Sequence, residues 1–441
     1  MSSGNTPTTL QQRLDIWARA EQGATDAQIA AALHLSPMTV RKWRRCVQQH
    51  GRSGLASQRG RPATGALSQA SAELRQAIRD GRNAHPGWGP DTLRVECQKD
   101  PRFRGEAIPS RSRVAAFLKA ENLVRPYERH TALQQPLAPQ PEGPHLEWEM
   151  DAQGVRQVTG VGKVSIINIG DPYSHVRTGS QACLGKSKAD TADYQLALRR
   201  AFLRYGLPSG LSLDHDSAFF DNTSASPYPS QLHLWAIGLG LTVRFITLGR
   251  PTEHGFIERT HQVVDNQAMF GVEFAHPADL QPMLDQRLDF LNRDYPSRSV
   301  GDQAPLTAEP TAIHSGRCYR PESEADLLDL QRVYEYLAQH RWFRRVTAQG
   351  QYTLGTQRYG LGKTWANQTV EIHFEPLTQE FACTSDDGQR TQRLSAQGLT
   401  KPTLMGELHM ESFAPYQYAF PWSPDVCRLN LLRTEMAGTI L

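Results

Sequence analysis

The sequence lacks the features of a zinc-stabilised, secreted or membrane-spanning protein. Its six cysteines are scattered with no CxxC pair, which argues against a zinc knuckle and favours a reducing compartment. It shows no signal-peptide pattern and no long apolar run. We therefore expect a soluble, cytoplasmic protein with no membrane partner.

The net charge is also small, at +3, because the 441 residues include 48 Lys and Arg and 45 Asp and Glu. That balance hides an asymmetry, because the chain through residue 130 carries 21 basic and 11 acidic side chains. A basic front end on a nearly neutral chain predicts that this part binds a polyanion. The length predicts about two to four domains.

Residues 1–50 carry the pattern of a three-helix DNA-binding unit. Thr25 followed by Gln28 predicts a capping box at the second helix, and Ser36 predicts the N-cap of the third. This spacing is typical of a helix-turn-helix, whose last helix lies in a major groove. The candidate DNA contacts there are Ser36, Thr39, Arg41, Lys42, Arg44 and Arg45. The alternative is an ordinary helical hairpin with a solvated basic face.

The stretch 51–68 is rich in Gly, Arg, Ser and Pro and cannot bury enough apolar surface to fold alone. Arginines beside glycine on such a strand can enter an A·T-rich minor groove, and Arg59 and Arg61 are the candidates. A solvated linker is the alternative.

A second helical unit is predicted over 69–124. Apolar residues recur there at helical spacing, and a Pro-Ser-Arg-Ser-Arg run opens the last of its helices. Arg111 and Arg113 would lie in the first turn of that helix, where they could meet DNA. Residues 125–145 contain five prolines and are predicted to be an extended linker.

From residue 146 onward, the pattern predicts three strands, then helix, strand, helix, strand and helix, which together form a mixed sheet. Two of the strands end at an acidic residue, Asp151 and Asp214. Glu258 follows a Gly/Pro loop and lies in the first turns of the next helix. Three carboxylates converging where two strands and a helix meet are a two-metal site in outline. Mg²⁺ prefers such hard oxygen ligands.

The chain resembles the DDE transposases of bacterial insertion sequences, whose ribonuclease-H-like catalytic core is shared with retroviral integrases. The matching residues are Trp148-Glu-Met-Asp151, Leu213-Asp-His-Asp-Ser-Ala-Phe-Phe220 and Gly249-Arg-Pro-Thr-Glu-His-Gly-Phe-Ile-Glu258-Arg-Thr-His261. The resemblance implies a multidomain protein with N-terminal all-α helix-turn-helix units, the second over 69–124. A central α/β ribonuclease-H-like core with a mixed sheet would follow over 146–300.

The same resemblance implies roles for single residues. Asp151 would bridge two Mg²⁺ ions, with Asp214 on one and Glu258 on the other, and Mn²⁺ would substitute. The candidate DNA contacts of the core are Lys186 and Lys188, at the start of its first helix, and Arg250, His254, Arg259 and His261, around Glu258.

Some alternatives stay open at the site. Asp216 could replace Asp214, although Asp214 directly follows the apolar strand. Glu253 lies in the loop before the helix and would contact backbone or DNA. Asp171 in Gly-Asp-Pro-Tyr is interpreted as a structural turn aspartate. The histidines beside Glu258 could touch the scissile phosphate or lie at the surface, and the two lysines could be a solvated helix end.

Beyond the core, residues 301–341 are predicted to be a helical connector. Residues 342–398 alternate in short strands with glycine turns and resemble the small C-terminal β-barrel of Mu-type transposases. Arg344, Arg345, Arg358 and Lys363 could bind the DNA backbone there. The tail 399–441 shows no period and carries no assignment.

The function implied is a transposase that binds the terminal inverted repeats of a mobile element, cleaves at its ends and transfers the 3′-hydroxyl strands into target DNA. The implied partners are double-stranded DNA, a homo-oligomer of two or more copies on paired ends, and an accessory ATPase. Nucleoid association in a bacterium would follow. The alternative is a catalytically inactive, domesticated sequence-specific DNA-binding protein.

Overall fold

The structure is a computed structural model that describes residues 8–55, 65–124, 141–221, 224–247 and 251–416. The chain divides into two compact units, Met1–Gln69 and Ala70–Leu441. Within the ranges just given, no helix is long and apolar enough to cross a membrane. The predicted minor-groove arginines, Arg59 and Arg61, and the predicted DNA contact Arg250 lie outside the described residues.

The first unit is a bundle of three helices, α1 (Leu10–Glu21), α2 (Asp26–Leu33) and α3 (Pro37–His50). The predicted capping box forms at Thr25 and Gln28, and the Ser36 side chain caps α3 by accepting from the Thr39 amide. The small core of the bundle consists of Ile16, Ile29, Ala30 and Val40. The predicted helix-turn-helix pattern is therefore present as three packed helices.

The second unit opens with three more helices and continues into a five-stranded mixed sheet in the order β3-β2-β1-β4-β5. The helices are α4 (Ala72–Ala84), α5 (Pro90–Lys99) and α6 (Arg111–Ala120). The strands are β1 (Trp148–Val158), β2 (Gly162–Gly170), β3 (Arg177–Leu184), β4 (Gly210–Leu213) and β5 (Thr242–Phe245). The first three strands form an antiparallel meander, and β4 and β5 run parallel to β1. The predicted mixed sheet is confirmed.

Helices cover both faces of this sheet. They are α7 (Thr191–Tyr205), α8 (Gln231–Gly238), α9 (Gly255–Val264) and α10 (Leu280–Arg293). Successive side chains of a strand point to opposite faces. On β1, Trp148 and Met150 accordingly pack with α7 and α8, which leaves Glu149 and Asp151 on the face toward α9. The sequence alternation of β1 thus delivers two carboxylates to one side of the sheet.

The first helices of the second unit pack directly against α10 and the turn after α9. The Trp88 indole donates to the Gln267 carbonyl (3.2 Å), and the Arg287 guanidinium lies over the Trp88 ring and binds Glu96 (2.7 Å). Lys99 pairs with Asp294. These contacts join α5 to α10 in one compact body.

The remaining chain adds short helices and two small sheets. The helices are α11 (Pro305–Ala308), α12 (Glu324–Leu327), α13 (Leu330–Ala338) and α14 (Lys401–Met405). The strands are β6 (Arg341–Arg345), β7 (Gln351–Leu354), β8 (Gln357–Gly360), β9 (Thr369–Glu375), β10 (Glu380–Ser385) and β11 (Thr391–Ser395). They form a sheet in the order β11-β10-β9-β6 and a separate β7-β8 hairpin.

The predicted small barrel is therefore not closed by strand pairing in the described part of the chain. A side chain spans the gap between β6 and β7, because Arg344 Nε donates to the Thr353 carbonyl (3.2 Å). The same guanidinium binds the Ser226 carbonyl (2.7 Å) and Asp221 (3.4 Å), and only 11% of the Arg344 side chain is exposed. Arg344 thus fastens the C-terminal sheet to the core, where we had expected a DNA contact.

Candidate active site and nucleic-acid interface

The strand register brings Asp151 and Asp214 to the same level of the sheet. Strand β1 pairs with β4 in parallel, with Trp148 opposite Leu211 and Glu149 opposite Ser212. Continuing this register by two residues sets Asp151 opposite Asp214. Adjacent strands are about 4.8 Å apart, so the two carboxylates leave the sheet side by side.

The electrostatics of Asp214 agree with that placement. Burial raises the pKa of Asp214, and the hydrogen bond that its carboxylate accepts from the Asp216 amide (3.0 Å) opposes the rise. The negative charges of Asp151 and Asp216 raise the pKa further. A cation between these carboxylates would relieve the repulsion, so the chemistry of the donors fits Mg²⁺.

Asp216 is engaged elsewhere. Its carboxylate accepts from the Ala218 amide (2.8 Å) and pairs with Lys188 Nζ (2.9 Å), which also donates to the Ser217 hydroxyl (2.8 Å). Those bonds occupy both Asp216 oxygens and favour Asp214 as the free ligand. They also give Lys188 a role in holding the turn after β4.

Glu258 is exposed on α9, whereas its neighbour His261 reaches the site. His261 Nε2 lies 3.0 Å from Asp151 Oδ2, and His261 Nδ1 lies 2.7 Å from Asn168 Nδ2. Because an amide nitrogen donates, Nδ1 accepts from Asn168 and the Nε2–H is left to donate to Asp151. Asn168 is fully buried on β2, where it is the register partner of Asp151. Asn168 of the sheet therefore fixes the orientation of the His261 ring.

The described residues do not bring three or more His, Cys, Asp or Glu side chains into a ready-made metal cluster. Two of the three predicted ligands are neighbours, and the third, Glu258, stands one helical turn before His261. Residues three apart share a flank of a helix. Glu258 and the His261 ring that meets Asp151 are consequently on the same flank of α9.

Glu149 is a site residue that sequence reasoning missed. It is only 5% exposed, and its Oε2 accepts from the Ile257 amide at 2.9 Å, in the first turn of α9. Burial raises the pKa of Glu149 to about 7, although that hydrogen bond acts in the opposite direction. A signal was available, because Glu149 and Asp151 are two residues apart on a strand and share one face.

His254 lies inside the protein, which corrects its assignment as a DNA contact. It is 4% exposed, and its Nε2 lies 3.2 Å from the Ser212 hydroxyl oxygen, within hydrogen-bond distance. Burial lowers the pKa of His254 to about 4. The ring therefore links β4 to the start of α9, and at this burial it does not reach a DNA backbone.

Two other acids of the region are structural. Glu253 accepts from the Thr247 amide (2.9 Å), which agrees with the predicted backbone contact. Asp171 is fully buried and accepts from the His145 and Tyr173 amides and from the Ser174 hydroxyl. Asp171 is the turn aspartate that the sequence predicted.

The predicted DNA contacts on α6 and before α7 differ in how many partners they already have. Lys186 and Lys188 were expected at the start of the core's first helix, but α7 begins only at Thr191. Lys186 bonds to Asp190 and Asp193 (2.7 Å each), and these bonds, working against burial, raise the pKa of Lys186 to about 12. Arg111 pairs with Asp91 (2.8 Å), yet half of its side chain stays exposed. Arg113 is partly buried, and Arg259 is exposed on α9.

In the first unit, an acid within the bundle engages two of the predicted DNA contacts. Asp26, in the first turn of α2, binds Arg44 (2.6 Å) and Arg41 (3.4 Å). Arg45 and Lys42 are exposed, and the Lys42 ammonium lies over the Trp43 ring. Ser36 and Thr39 bond to each other through their hydroxyls (2.8 Å) at the exposed start of α3. The basic face of α3 is thus exposed but partly neutralised.

Comparison with known proteins identifies the first unit. Residues 7–56 match the family of homeodomain-like domains, a helix-turn-helix class. The chain is also similar to the catalytic core domain of BIV integrase, at 18% identity and a TM-score of 0.26. That match covers 37% of this chain and 92% of the integrase domain. A chain of the simian T-cell lymphotropic virus intasome, solved with the PP2A regulatory subunit B56 gamma, matches at 12% identity and a TM-score of 0.31, covering 70% of this chain and 97% of the other.

Proposed function

We propose that the chain is a transposase that binds the terminal inverted repeats of a mobile DNA element, cleaves at the ends and joins the 3′-hydroxyl strands to target DNA. The observation that carries this proposal is the parallel pairing of β1 with β4, whose register, continued one residue past the end of β4, sets Asp214 opposite Asp151. The mixed sheet order and the homeodomain-like N-terminal unit support it, since they supply a catalytic platform and a DNA reader on one chain.

Asp151, Asp214 and Glu258 would hold the Mg²⁺ ions, with Mn²⁺ as a substitute. When bound, the metal lowers the pKa of the attacking water or hydroxyl and stabilises the leaving alkoxide. Around these ligands, the Asp216 amide fixes one oxygen of Asp214, and the Ala152 amide fixes Oδ1 of Asp151 (2.7 Å). The other oxygen of Asp214 would bind the metal, and Oδ2 of Asp151 would be shared between the metal and His261 Nε2.

The exposed basic face of α3 would read the terminal repeat, with Arg45 and Lys42 available at once and Arg41 and Arg44 after release from Asp26. Arg111, Arg113 and Arg259 would contact phosphates closer to the core. Two DNA ends require two active sites, so we propose a homo-oligomer of two or more copies, and an accessory ATPase as a further partner.

The test is strand transfer by purified protein with Mg²⁺, a labelled duplex carrying the terminus of the DNA element that encodes the chain, and a supercoiled plasmid. Asp214→Asn should lower joined product at least about a hundredfold. Asp216→Asn is the matched control and should retain product within a few-fold, because its carboxylate holds a turn. Equal loss in both variants, or joining by Asp214→Asn, would refute the assignment of Asp214.

A second candidate is a sequence-specific DNA-binding protein without catalysis. It is favoured by one observation, the lack of a converged three-ligand cluster in the described residues. Tight binding of the terminus with neither cleavage nor joining under Mg²⁺ or Mn²⁺ would select this candidate.

A further inference from the structure

Two hydrogen bonds connect strand β1 to helix α9. The distance between their two attachment points is about the same along the strand as along the helix. Glu149 Oε2 accepts from the Ile257 amide (2.9 Å), and Asp151 Oδ2 lies 3.0 Å from His261 Nε2. Two residues of a strand span about 6.7 Å, and four residues of a helix span about 6 Å. The first turns of α9 therefore run alongside the first residues of β1 in the same direction.

Glu258 falls between the two points of attachment, directly after Ile257. The bond from the Ile257 amide involves the main chain of the helix. It therefore fixes both the height of the first turn of α9 along β1 and its rotation about the helix axis. At the His261 end the tie goes through a side chain that the fully buried Asn168 holds at 2.7 Å. Loss of the Glu149 bond would release the turn that carries Glu258, while His261 stayed attached.

We infer that Glu149 is a positioning residue, which holds the first turn of α9 against β1 so that the Glu258 carboxyl can join Asp151 and Asp214 around the metal. This inference rests on the proposed function. Glu149 itself does not contact the metal or DNA in this scheme, because its oxygen is committed to the Ile257 amide inside the protein. A carboxyl chosen only to fill space at this position would not need an acceptor aimed at that amide.

The experiment compares Glu149→Ala with Glu149→Gln. The glutamine variant keeps a carbonyl oxygen that can accept from the Ile257 amide, and the alanine variant does not. Two quantities are measured on the full chain: Mn²⁺ binding by electron paramagnetic resonance without DNA, and the Mg²⁺ concentration for half-maximal strand cleavage. Loss of a residue that orients metal ligands costs about 10- to 100-fold in metal affinity. We expect about a tenfold loss for Glu149→Ala and less than about threefold for Glu149→Gln.

Gln281→Ala is the matched control for a purely structural tie. Gln281 also fixes a helix to a strand, since its Oε1 accepts from the Ala182 amide (2.9 Å) and its Nε2 donates to the Ser180 carbonyl (2.9 Å). This variant should lower the melting temperature and leave Mn²⁺ binding unchanged. Glu149→Ala should change both quantities.

Three outcomes would overturn the inference. They are wild-type Mn²⁺ affinity in a Glu149→Ala variant that is merely less stable, equal losses in the alanine and glutamine variants, and a Gln281→Ala variant that loses Mn²⁺ as well. Failure of the proposed function looks different, because wild-type protein would then bind Mn²⁺ without cleaving or joining DNA. The comparison of Mn²⁺ affinities would still decide the role of Glu149.

Discussion

The two three-helix regions of this chain illustrate how similar sequence patterns serve different ends. The bundle α1–α3 is a compact unit whose core, Ile16, Ile29, Ala30 and Val40, is its own. The helices α4–α6 instead share a body with α10 and the five-stranded sheet, through Trp88, Glu96 and Lys99. A region with its own core can unfold alone, whereas the unfolding of a docked region is coupled to that of the elements it packs against.

Breaking the core of the first bundle should have the largest effect. Ile16→Ala removes a fully buried side chain from a core of four, which costs about 2–5 kcal/mol. We expect the first unit to unfold and terminus binding to fall, while the thermal transition of residues 70–441 stays in place. Leu10→Ala is the control, because Leu10 is 56% exposed on the same helix. A single transition that shifts as a whole would contradict the separation of the two units.

Cutting the junction of the second region should have the next largest effect. Arg287→Ala removes bonds to Glu96 (2.7 Å) and Gln267 (2.8 Å) and a stacking contact with Trp88. Hydrogen bonds to charged groups contribute roughly 1.5–3 kcal/mol, so we expect about 2–3 kcal/mol of destabilisation. Hydrogen exchange should rise in α4–α6 and α10 together. Arg293→Ala, at a half-exposed position of the same helix, should change neither.

A pH titration sharpens the comparison in the body of the second unit. His233 is buried between Phe245 and Tyr336, and burial, then the nearby His340, lowers its pKa to about 4. In the unfolded chain it would take up a proton below about pH 6.5. His233 therefore leaves the free energy of unfolding unchanged above about pH 6.5. As the pH falls toward 4, it lowers that free energy, by roughly 2 kcal/mol at pH 5. His233→Gln should flatten the slope of melting temperature against pH in that window, and an unchanged slope would exclude His233 as its source.

Much of this architecture follows from local patterns in the sequence. The acid predicted at the end of a strand, Asp214, does follow β4, whereas the other, Asp151, is the fourth residue of β1, which continues to Val158. Alternation predicted the three-strand meander, and the capping signals at Thr25 and Ser36 placed α2 and α3. Each of these features depends on residues close in sequence or on the parity of a strand. Local physics is sufficient for them.

The features that were missed depend on partners far along the chain. Arg344 is 118 residues from the Ser226 carbonyl that it binds, and Arg287 is 191 residues from Glu96. Nothing local separates such arginines from basic side chains that face DNA. His254 likewise reads as a loop residue until Ser212 is found against it. A side chain's availability for DNA is a tertiary property.

The smallest expected effect, and the one that bears most directly on DNA reading, is at Asp26. Exposed ion pairs are weak, so freeing Arg41 and Arg44 from Asp26 should strengthen duplex binding by no more than about fivefold. Asp26→Asn should also steepen the salt dependence of binding, since two more arginines become available to phosphates. Asp15→Asn is the matched control, because it makes the same change in net charge on α1, where Asp15 binds only Gln11 among the described contacts. If Asp26→Asn weakened specific binding, Asp26 would be orienting the arginines for base contacts. If both variants gained equally, net charge alone would explain the effect, and the bundle's own acid would have no part in setting how tightly α3 holds DNA.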